Sequence, residues 1–294
     1  MTAQETPDGT ALPRWCDLPL KAVFLRSFFI QAGWNYERFQ NLGFAFALKP
    51  ALERIWPDRA GLKAALLRHL GLVNTQPYMA GYVLGNVAGM EARAAADPDP
   101  AARLKSLPGV KQALATSFAS IGDRVFWGRL KPMTTQVCLL VWTLCGFCGW
   151  LFTGNAREPA AWVVFAGPLA GIAGYAAVSV AVRWKGLNGG CACGGTATCG
   201  LDEVDWPRAI RLLSFAGYAL SLVLALAALA MFTGACGCGG DVLLRFGLAA
   251  LVLALHRAAR HYGRSVLSAA GFVLAASLLF FGVLRLEPPK IYGL

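Results

Sequence analysis

Long apolar runs dominate the second half of the chain, and short polar connections separate them. A membrane-spanning helix needs about 20 predominantly apolar residues. Five runs are long or apolar enough to qualify: 135–154, 160–182, 209–233, 242–256 and 265–285. The fourth run is short for a crossing. The pattern therefore predicts about five transmembrane helices over residues 133–286, followed by a C-terminal tail over 287–294.

The N-terminal third shows a different pattern, because amides, charges and prolines repeatedly interrupt its apolar stretches. After a polar tail over 1–19, the segment 24–48 predicts one helix. Side chains three or four positions apart share a helix face, and the polar residues here that do so are Gln31, Asn35, Arg38 and Asn41. Such a helix is expected to lie at the membrane interface or to line a polar cavity.

Further breaks and helices follow in the same region. Pro50 and Pro57 are expected to interrupt the first pattern, and a second helix is expected over 59–72. An apolar stretch at 80–92 precedes a polar loop at 94–103. Broken, partly apolar pieces of this kind are typical of the re-entrant elements of transporters. The sequence thus predicts an all-α integral membrane protein, with an amphipathic and re-entrant helical region over 20–132.

Composition and charge support the membrane assignment. Apolar residues make up 56 % of the chain and charged residues only 15 %, and the mean hydropathy is +0.51. The net charge of +11 does not indicate nucleic-acid binding, because the basic residues lie at the ends of apolar runs rather than in one patch. Connections rich and poor in Lys and Arg alternate, which predicts a cytoplasmic N-terminus and supports counting 242–256 as a crossing. The first 19 residues lack the pattern of a cleaved signal peptide.

Glycines and cysteines suggest two further features of the later helices. Gly167 and Gly171 form a GxxxG pair, with Gly174 nearby, that would let a neighbouring helix approach closely. The weak metal-ligand candidates are the thiols of Cys191, Cys193 and Cys199. A closed zinc site needs a fourth ligand, and the predicted topology places the other CxC pair, in the segment 233–240, across the membrane. We therefore predict no metal site, and an accidental cluster or reversible thiol chemistry is the favoured interpretation.

Three stretches carry a resemblance to a known family. RSFFIQAGWNYERFQNLGFAFALKPAL, HLGLVNTQPYMAGYVLG and SIGDRVFWGRLKP are similar, in order and spacing, to the characteristic stretches of mannose/fructose/sorbose-type IID proteins of the phosphotransferase system. The resemblance is dense over 20–132. It departs from the family in a shortened exported segment at 233–240 and a Cys-rich connection at 188–200.

The resemblance implies partners and a role. A IIC membrane subunit would complete the complex, and cytoplasmic IIA and IIB proteins would supply phosphoryl groups as a hexose-type sugar is taken up. A IID subunit carries no phosphorylated residue, so no enzyme activity of its own and no cofactor are expected. Phosphohistidine chemistry needs an exposed, well-oriented imidazole. His69 lies in a Leu-rich helix, and His256 and His261 lie in an Arg-rich connection at the membrane edge, so none of the three histidines is expected to be phosphorylated. The resemblance further implies a hetero-oligomer in the inner (plasma) membrane.

The interrupted N-terminal region supplies the candidate sugar contacts. Amides suit a sugar because each offers a donor and an acceptor to neighbouring hydroxyls, and an aromatic ring such as Trp34 can cover the apolar face of a pyranose. The candidate substrate-binding residues are Gln31, Asn35, Glu37, Asn41, Asn74 and Asp123. An alternative interpretation is that the amides cap helix ends and satisfy backbone groups.

Two other functions stay open at the level of the sequence. The chain could be a non-transporting regulatory or sensory membrane protein on the IID scaffold, as the Cys-rich loop and the shortened exported segment suggest. It could also be a metal- or thiol-dependent membrane enzyme, although it lacks the His and acid clusters that such chemistry uses.

Overall fold

A computed structural model describes residues 17–153, 161–193, 200–202 and 204–234, together with isolated helical positions between 247 and 261. The chain divides into two compact units, Met1–Leu222 and Val223–Leu294. The second unit is described mainly by the end of one long helix, so the account below concerns the first. The predicted crossings at 242–256 and 265–285, most of the N-terminal tail and the C-terminal tail lie outside the continuously described residues.

Helices account for the architecture, and the described residues contain no β-strand beyond two isolated bridges. The α-helices are α1 (Leu20–Ser27), α2 (Asn41–Ile55), α3 (Arg59–His69), α4 (Ala80–Ala95), α5 (Pro100–Leu104), α6 (Leu107–Gly122), α7 (Lys131–Thr153), α8 (Ala161–Cys193) and α9 (Trp206–Gly234). A π-helical segment, Asp123–Leu130, joins α6 to α7. The all-helical prediction is confirmed for this part of the chain.

The prediction of one helix over 24–48 is wrong. The chain leaves the helix after Ser27, and residues 28–40 form turns before α2 begins. Gly33 has a φ of +75° and Phe39 a φ of +54°, left-handed conformations that an α-helix cannot contain. Phe39 also pairs through its backbone with Asn35, and its neighbour Gln40 donates its backbone N–H to the carbonyl oxygen of Val73 at 2.9 Å. A connection to a distant segment therefore replaces the local helical bonds.

The two prolines behave differently. Pro50 lies inside α2, so the expected interruption there is wrong. Pro57 does follow the end of α2, and Asp58 then caps α3 by accepting the backbone N–H of Gly61 at 2.6 Å. The helix predicted over 59–72 is confirmed as α3, which ends at His69, and the apolar stretch at 80–92 lies within α4. The loop predicted at 94–103 is instead the end of α4, a turn and the short α5.

The central helix, α4, is buried along nearly its whole length and packs closely on the C-terminal part of α8. A Cβ added to Gly81 would collide with the carbonyl oxygen of Arg183, and one added to Gly85 with that of Leu187. On the facing helix, a Cβ at Gly190 would lie 2.7 Å from the carbonyl oxygen of Tyr82. Side chains at these positions would push the two backbones apart, so the glycines are what allow this contact.

Two helices in the described part of the chain are long and apolar enough to cross a membrane, at Phe165–Cys193 and Trp206–Ala227. Most of their side chains face outward rather than into the protein.

The GxxxG prediction is confirmed in α8, because added Cβ atoms at Gly167 and Gly171 would lie 2.7 Å from the carbonyl oxygens of Cys138 and Thr134 on α7. Gly174 has no atom near enough to take part.

Candidate functional site

The turns between α1 and α2 are held by a network of amides. Asn35 donates from Nδ2 to Oδ1 of Asn41 at 2.9 Å, and its own Oδ1 accepts the backbone N–H of Arg38 at 2.8 Å. Asn41 in turn donates from Nδ2 to the carbonyl oxygen of Leu70 at 2.9 Å. These bonds close the loop on itself and tie it to the segment that follows α3.

A second amide side chain, that of Gln40, also connects the two segments. Gln40 is buried and donates from Nε2 to the carbonyl oxygen of Thr75 at 2.7 Å. Its Oε1 accepts the backbone N–H of Thr75 at 3.0 Å. The paired bonds resemble one rung of a β-ladder made by a side chain. Residues 28–41 and 70–76 therefore form one connected platform, which we call the loop platform.

The structure brings some of the sequence-predicted residues together on this platform. Asn35 and Asn41 are bonded to each other, and Gln31 and Glu37 are exposed on the same loop. Asn74 is exposed on the adjoining segment. Asp123 instead is exposed at the first residue of the π-helical segment. The amides of Asn35 and Asn41 are largely used by the protein, and direct sugar contact by any of the six residues stays a prediction.

Trp34 gives the loop platform an aromatic surface. Its ring meets Tyr36 edge-on with a centroid separation of 4.8 Å, and Phe39 at 5.9 Å. The residue is 43 % exposed, so one ring surface is open to a ligand, a lipid or a partner. This arrangement can bind an apolar or a sugar ring by stacking.

A buried charge cluster, which the sequence interpretation did not identify, lies between α2, α3 and α4. The carboxylate of Glu91 is fully buried and accepts four hydrogen bonds. Arg68 donates from Nε to Oε1 and from Nη2 to Oε2, both at 2.9 Å. Trp56 donates from Nε1 to Oε2 at 2.8 Å, and Nε2 of His69 lies 2.8 Å from Oε1. We call these four residues the Glu91 cluster.

The electrostatics of the Glu91 cluster favour one protonation state. Burial alone raises the pKa of Glu91, but hydrogen bonds and charge from His69 and Arg68 outweigh it and lower that pKa to about 2. Burial lowers the pKa of His69 despite its bond to Glu91. At neutral pH the cluster thus contains an ionised carboxylate, a guanidinium and a neutral imidazole that donates from Nε2. An ion pair satisfied in this way holds three helices together rather than presenting a reactive group.

One signal in the sequence could have indicated this cluster. Glu91 is the only acid in the largely apolar α4, and an isolated acid in such a helix needs a buried partner. The partner could not be read from the sequence, because Arg68 and His69 belong to a different helix.

The weak metal candidates do not form a site in the described residues. Cys191 is buried and is not part of a disulfide, Cys193 takes part in a disulfide, and Cys199 lies outside the described positions. No group of three or more His, Cys, Asp or Glu side chains able to hold a metal occurs in that part of the chain.

Comparison with known proteins identifies the family. The chain is 36 % identical over 132 residues to the mannose-specific EIID component of the phosphotransferase system from Escherichia coli K12, covering 44 % of this chain and 45 % of that protein. It is 34 % identical over 172 residues to the sorbose-specific EIID component of Klebsiella pneumoniae, covering 58 % and 54 %. The match thus spans about half the length of these curated relatives.

A solved structure, described only as that of a membrane protein, superimposes with a TM-score of 0.52 and 29 % identity, covering 70 % of this chain and 68 % of the other. The matched family is described as the mannose/fructose/sorbose family IID component of the phosphotransferase system, and the match runs over residues 18–219. That range contains the loop platform, the Glu91 cluster, the apolar helix Phe165–Cys193 and the first part of the second apolar helix, Trp206–Ala227. The chain therefore belongs to the IID component family of the mannose/fructose/sorbose phosphotransferase system.

Proposed function

We propose that this chain is the IID membrane subunit of a mannose-type sugar permease and forms the translocation path with a IIC subunit. Cytoplasmic IIA and IIB proteins would then phosphorylate a hexose-type sugar as it is taken up. The family match over residues 18–219 carries the proposal. It includes both the interrupted N-terminal region and the helices that follow, so it does not rest on generic membrane hydrophobicity.

The surface of the described helices supports a partner and a membrane. Phe165, Leu169 and Ile172 on α8 are mostly exposed, as are Leu212 and Phe215 on α9. Apolar surface of this extent needs lipid or another subunit to cover it. The alternation of basic connections supports an inner-membrane location with the N-terminus in the cytoplasm.

The substrate class is inferred from the relatives, which are described as mannose- and sorbose-specific. For this chain we propose that the exposed side of the loop platform faces the sugar path, with Trp34 as a stacking surface and Gln31, Asn35 and Glu37 as polar groups. Asn41, Asn74 and Asp123 complete the proposed set. The competing role for the amides is to hold the loop.

Two experiments test the proposal. Co-expression with the IIC protein encoded beside this chain, followed by purification in mild detergent, should yield a stable complex. In cells carrying the full system, Asn35→Ala should lower uptake of labelled mannose or sorbose while the complex still assembles. Asn188→Ala is the matched control, since the one bond of its amide to the described residues goes to the carbonyl oxygen of Trp184 in its own helix.

The outcomes separate the two roles of Asn35. Lost uptake with a normal complex supports a place beside the sugar path. Wild-type uptake by a normally assembled complex would exclude Asn35 as a sugar contact, whereas a complex that fails to assemble would indicate that Asn35 holds the loop. Failure to co-purify with IIC in the wild type would contradict the proposed function itself.

A further inference from the structure

Arg183 is a buried cation with no carboxylate partner among the described residues. It lies on α8 and is only 3 % exposed. Its one hydrogen bond within the described structure runs from Nη1 to Oγ of Ser27 at 3.2 Å. The Nε–H is buried and finds no acceptor among the residues that the structure describes. A guanidinium carries five N–H donors, so most of the capacity of this one is unused.

The surroundings of Arg183 offset only part of its desolvation. The ring of Phe28 lies over the guanidinium at 4.4 Å, and the ring of Tyr78 lies at 5.9 Å. Ser27 is the last residue of α1, where the helix dipole places partial negative charge. None of these groups is an anion, and buried charges are normally paired. The described residues thus supply no anionic group to balance the charge of this buried guanidinium.

Arg183 also lies at a boundary along α8. On its N-terminal side, α8 exposes apolar residues such as Phe165 and Ile172, whereas on its C-terminal side Leu187 and Cys191 are buried in the protein. Trp184 and Lys185 follow Arg183 directly, and Trp next to basic residues marks the level of lipid headgroups. The unpaired guanidinium is therefore at the depth where phosphates lie if α8 crosses a bilayer.

An apolar cradle begins at the same end of α1. An open cavity of about 310 Å³ is lined by Phe29, Ala32, Leu42, Gly43 and Phe46. Phe28, which covers the guanidinium, is 49 % exposed, and its neighbour Phe29 is 59 % exposed. The cradle has a basic rim, because the guanidinium of Arg26 lies 5.0 Å from the centre of the Phe46 ring. Basic and large apolar side chains mixed in this way are typical of a segment lying in the membrane interface.

We propose that Arg183 and this cradle bind one anionic phospholipid, with the phosphate accepted by the guanidinium and an acyl chain lying against Phe29 and Phe46. A phosphate oxygen pair matches the fork of a guanidinium. A lipid is favoured over an acidic side chain of a partner because it supplies both the charge and the apolar chain that the two halves of the site lack. Phe28 covers the guanidinium and must move aside as the phosphate enters. The proposal depends on the membrane location but not on sugar transport.

The test uses the detergent-purified complex with its IIC subunit and dioleoyl phosphatidylglycerol as the probe. Native mass spectrometry measures lipid affinity in the wild type, in Arg183→Gln and in Arg59→Gln, a matched control that removes the same charge from an exposed position on α3. We expect Arg183→Gln to weaken binding by about tenfold, as for loss of one charge-assisted pair, and Arg59→Gln to leave it within about twofold. Phe29→Gln, at an exposed position, should weaken binding by about threefold and serves alone if Arg183→Gln does not fold.

Two further arms distinguish the sources of the anion. Inorganic phosphate at millimolar concentration should neither bind detectably nor displace the lipid. Equal lipid affinity in wild type and Arg183→Gln, or in wild type and Phe29→Gln, would overturn the proposal. So would lipid-independent binding of phosphate at Arg183, or loss of the IIC subunit in Arg183→Gln with unchanged lipid affinity, which would indicate a carboxylate from the partner.

Discussion

Replacing Glu91 with Gln tests whether the Glu91 cluster holds the N-terminal helices together. The substitution keeps the size of the side chain but removes its charge. One oxygen can still accept hydrogen bonds, whereas the new NH₂ group faces donors from Arg68 and Trp56 and can accept from neither. The guanidinium of Arg68 is then left partly buried without its counter-ion.

The magnitude follows from the burial of the pair. Glu91 has no exposed surface, and breaking a buried ion pair by removing one partner costs about 3–5 kcal/mol. For chains of 150–250 residues each kcal/mol corresponds to about 2–4 °C in Tm, so we expect a loss of about 6–20 °C, at the lower end for a longer chain. The matched control is Glu53→Gln, which breaks the half-exposed Lys49–Glu53 pair of 3.4 Å within α2. An exposed pair of this spacing contributes about 0.3–0.5 kcal/mol, or at most about 2 °C.

The assay is the fraction of protein that stays monodisperse after heating in detergent, measured by size-exclusion chromatography at a fixed heating rate. The Tm of the double variant Arg68→Gln with Glu91→Gln should fall by less than the sum of the decreases in the two single variants, because both residues take part in one ion pair. A shift for Glu91→Gln no larger than that for Glu53→Gln would refute the assignment of the cluster as a structural centre.

Two other outcomes follow from the same structure. The folded-state pKa values of His69 and Glu91 lie below their ordinary values of 6.5 and 4.5. The unfolded chain therefore binds more protons than the folded chain as the pH falls. Stability should decrease as the pH drops through about 6.5, because of His69, and again between about 4.5 and 2, because of Glu91. Apparent Tm measured from pH 8 to about pH 3 checks this fall, which an unchanged Tm would contradict. Below pH 4.5 the decline should be shallower in Glu91→Gln. In the second case, Gly85→Val should abolish monodisperse protein because its side chain collides with the backbone of α8, whereas Gly174→Val, with no atom within 4 Å, should express normally. Equal yields of the two valine variants would show that α4 and α8 are not in close contact.

Several features could be predicted from the sequence because they depend on residues close together in the chain. The extent of α8 and α9 as membrane-length helices follows from apolar length alone. The break at Pro57 follows from the missing N–H of proline, and α3 begins at Arg59, where the sequence predicted a helix to begin. Gly167 and Gly171 indicated a close helix contact by their spacing, and the contact is present. The family could likewise be identified from the three characteristic N-terminal stretches.

Other features failed or went unseen because they depend on residues far apart in the chain. The segment 24–48 has a helical pattern of polar residues, yet bonds from Gln40 to Val73 and Thr75 stabilise a turn that local propensity disfavours. The amide face predicted for Asn35 and Asn41 is instead a bonded pair within that turn. The GxxxG pair Gly81 and Gly85 went unnoticed, since its importance depends on which helix lies opposite.

The sequence by itself therefore determined the class of protein, its family and the helices whose length and hydropathy suffice to define them. Only the tertiary structure decided how the polar residues of the N-terminal third are used. It gathered Trp56, Arg68 and His69 around the buried carboxylate of Glu91. It also left Arg183 with a single hydrogen bond to the part of the chain that the structure describes. The physical reason is that the role of a buried polar group depends on its hydrogen-bond partners, and here those partners come from other helices.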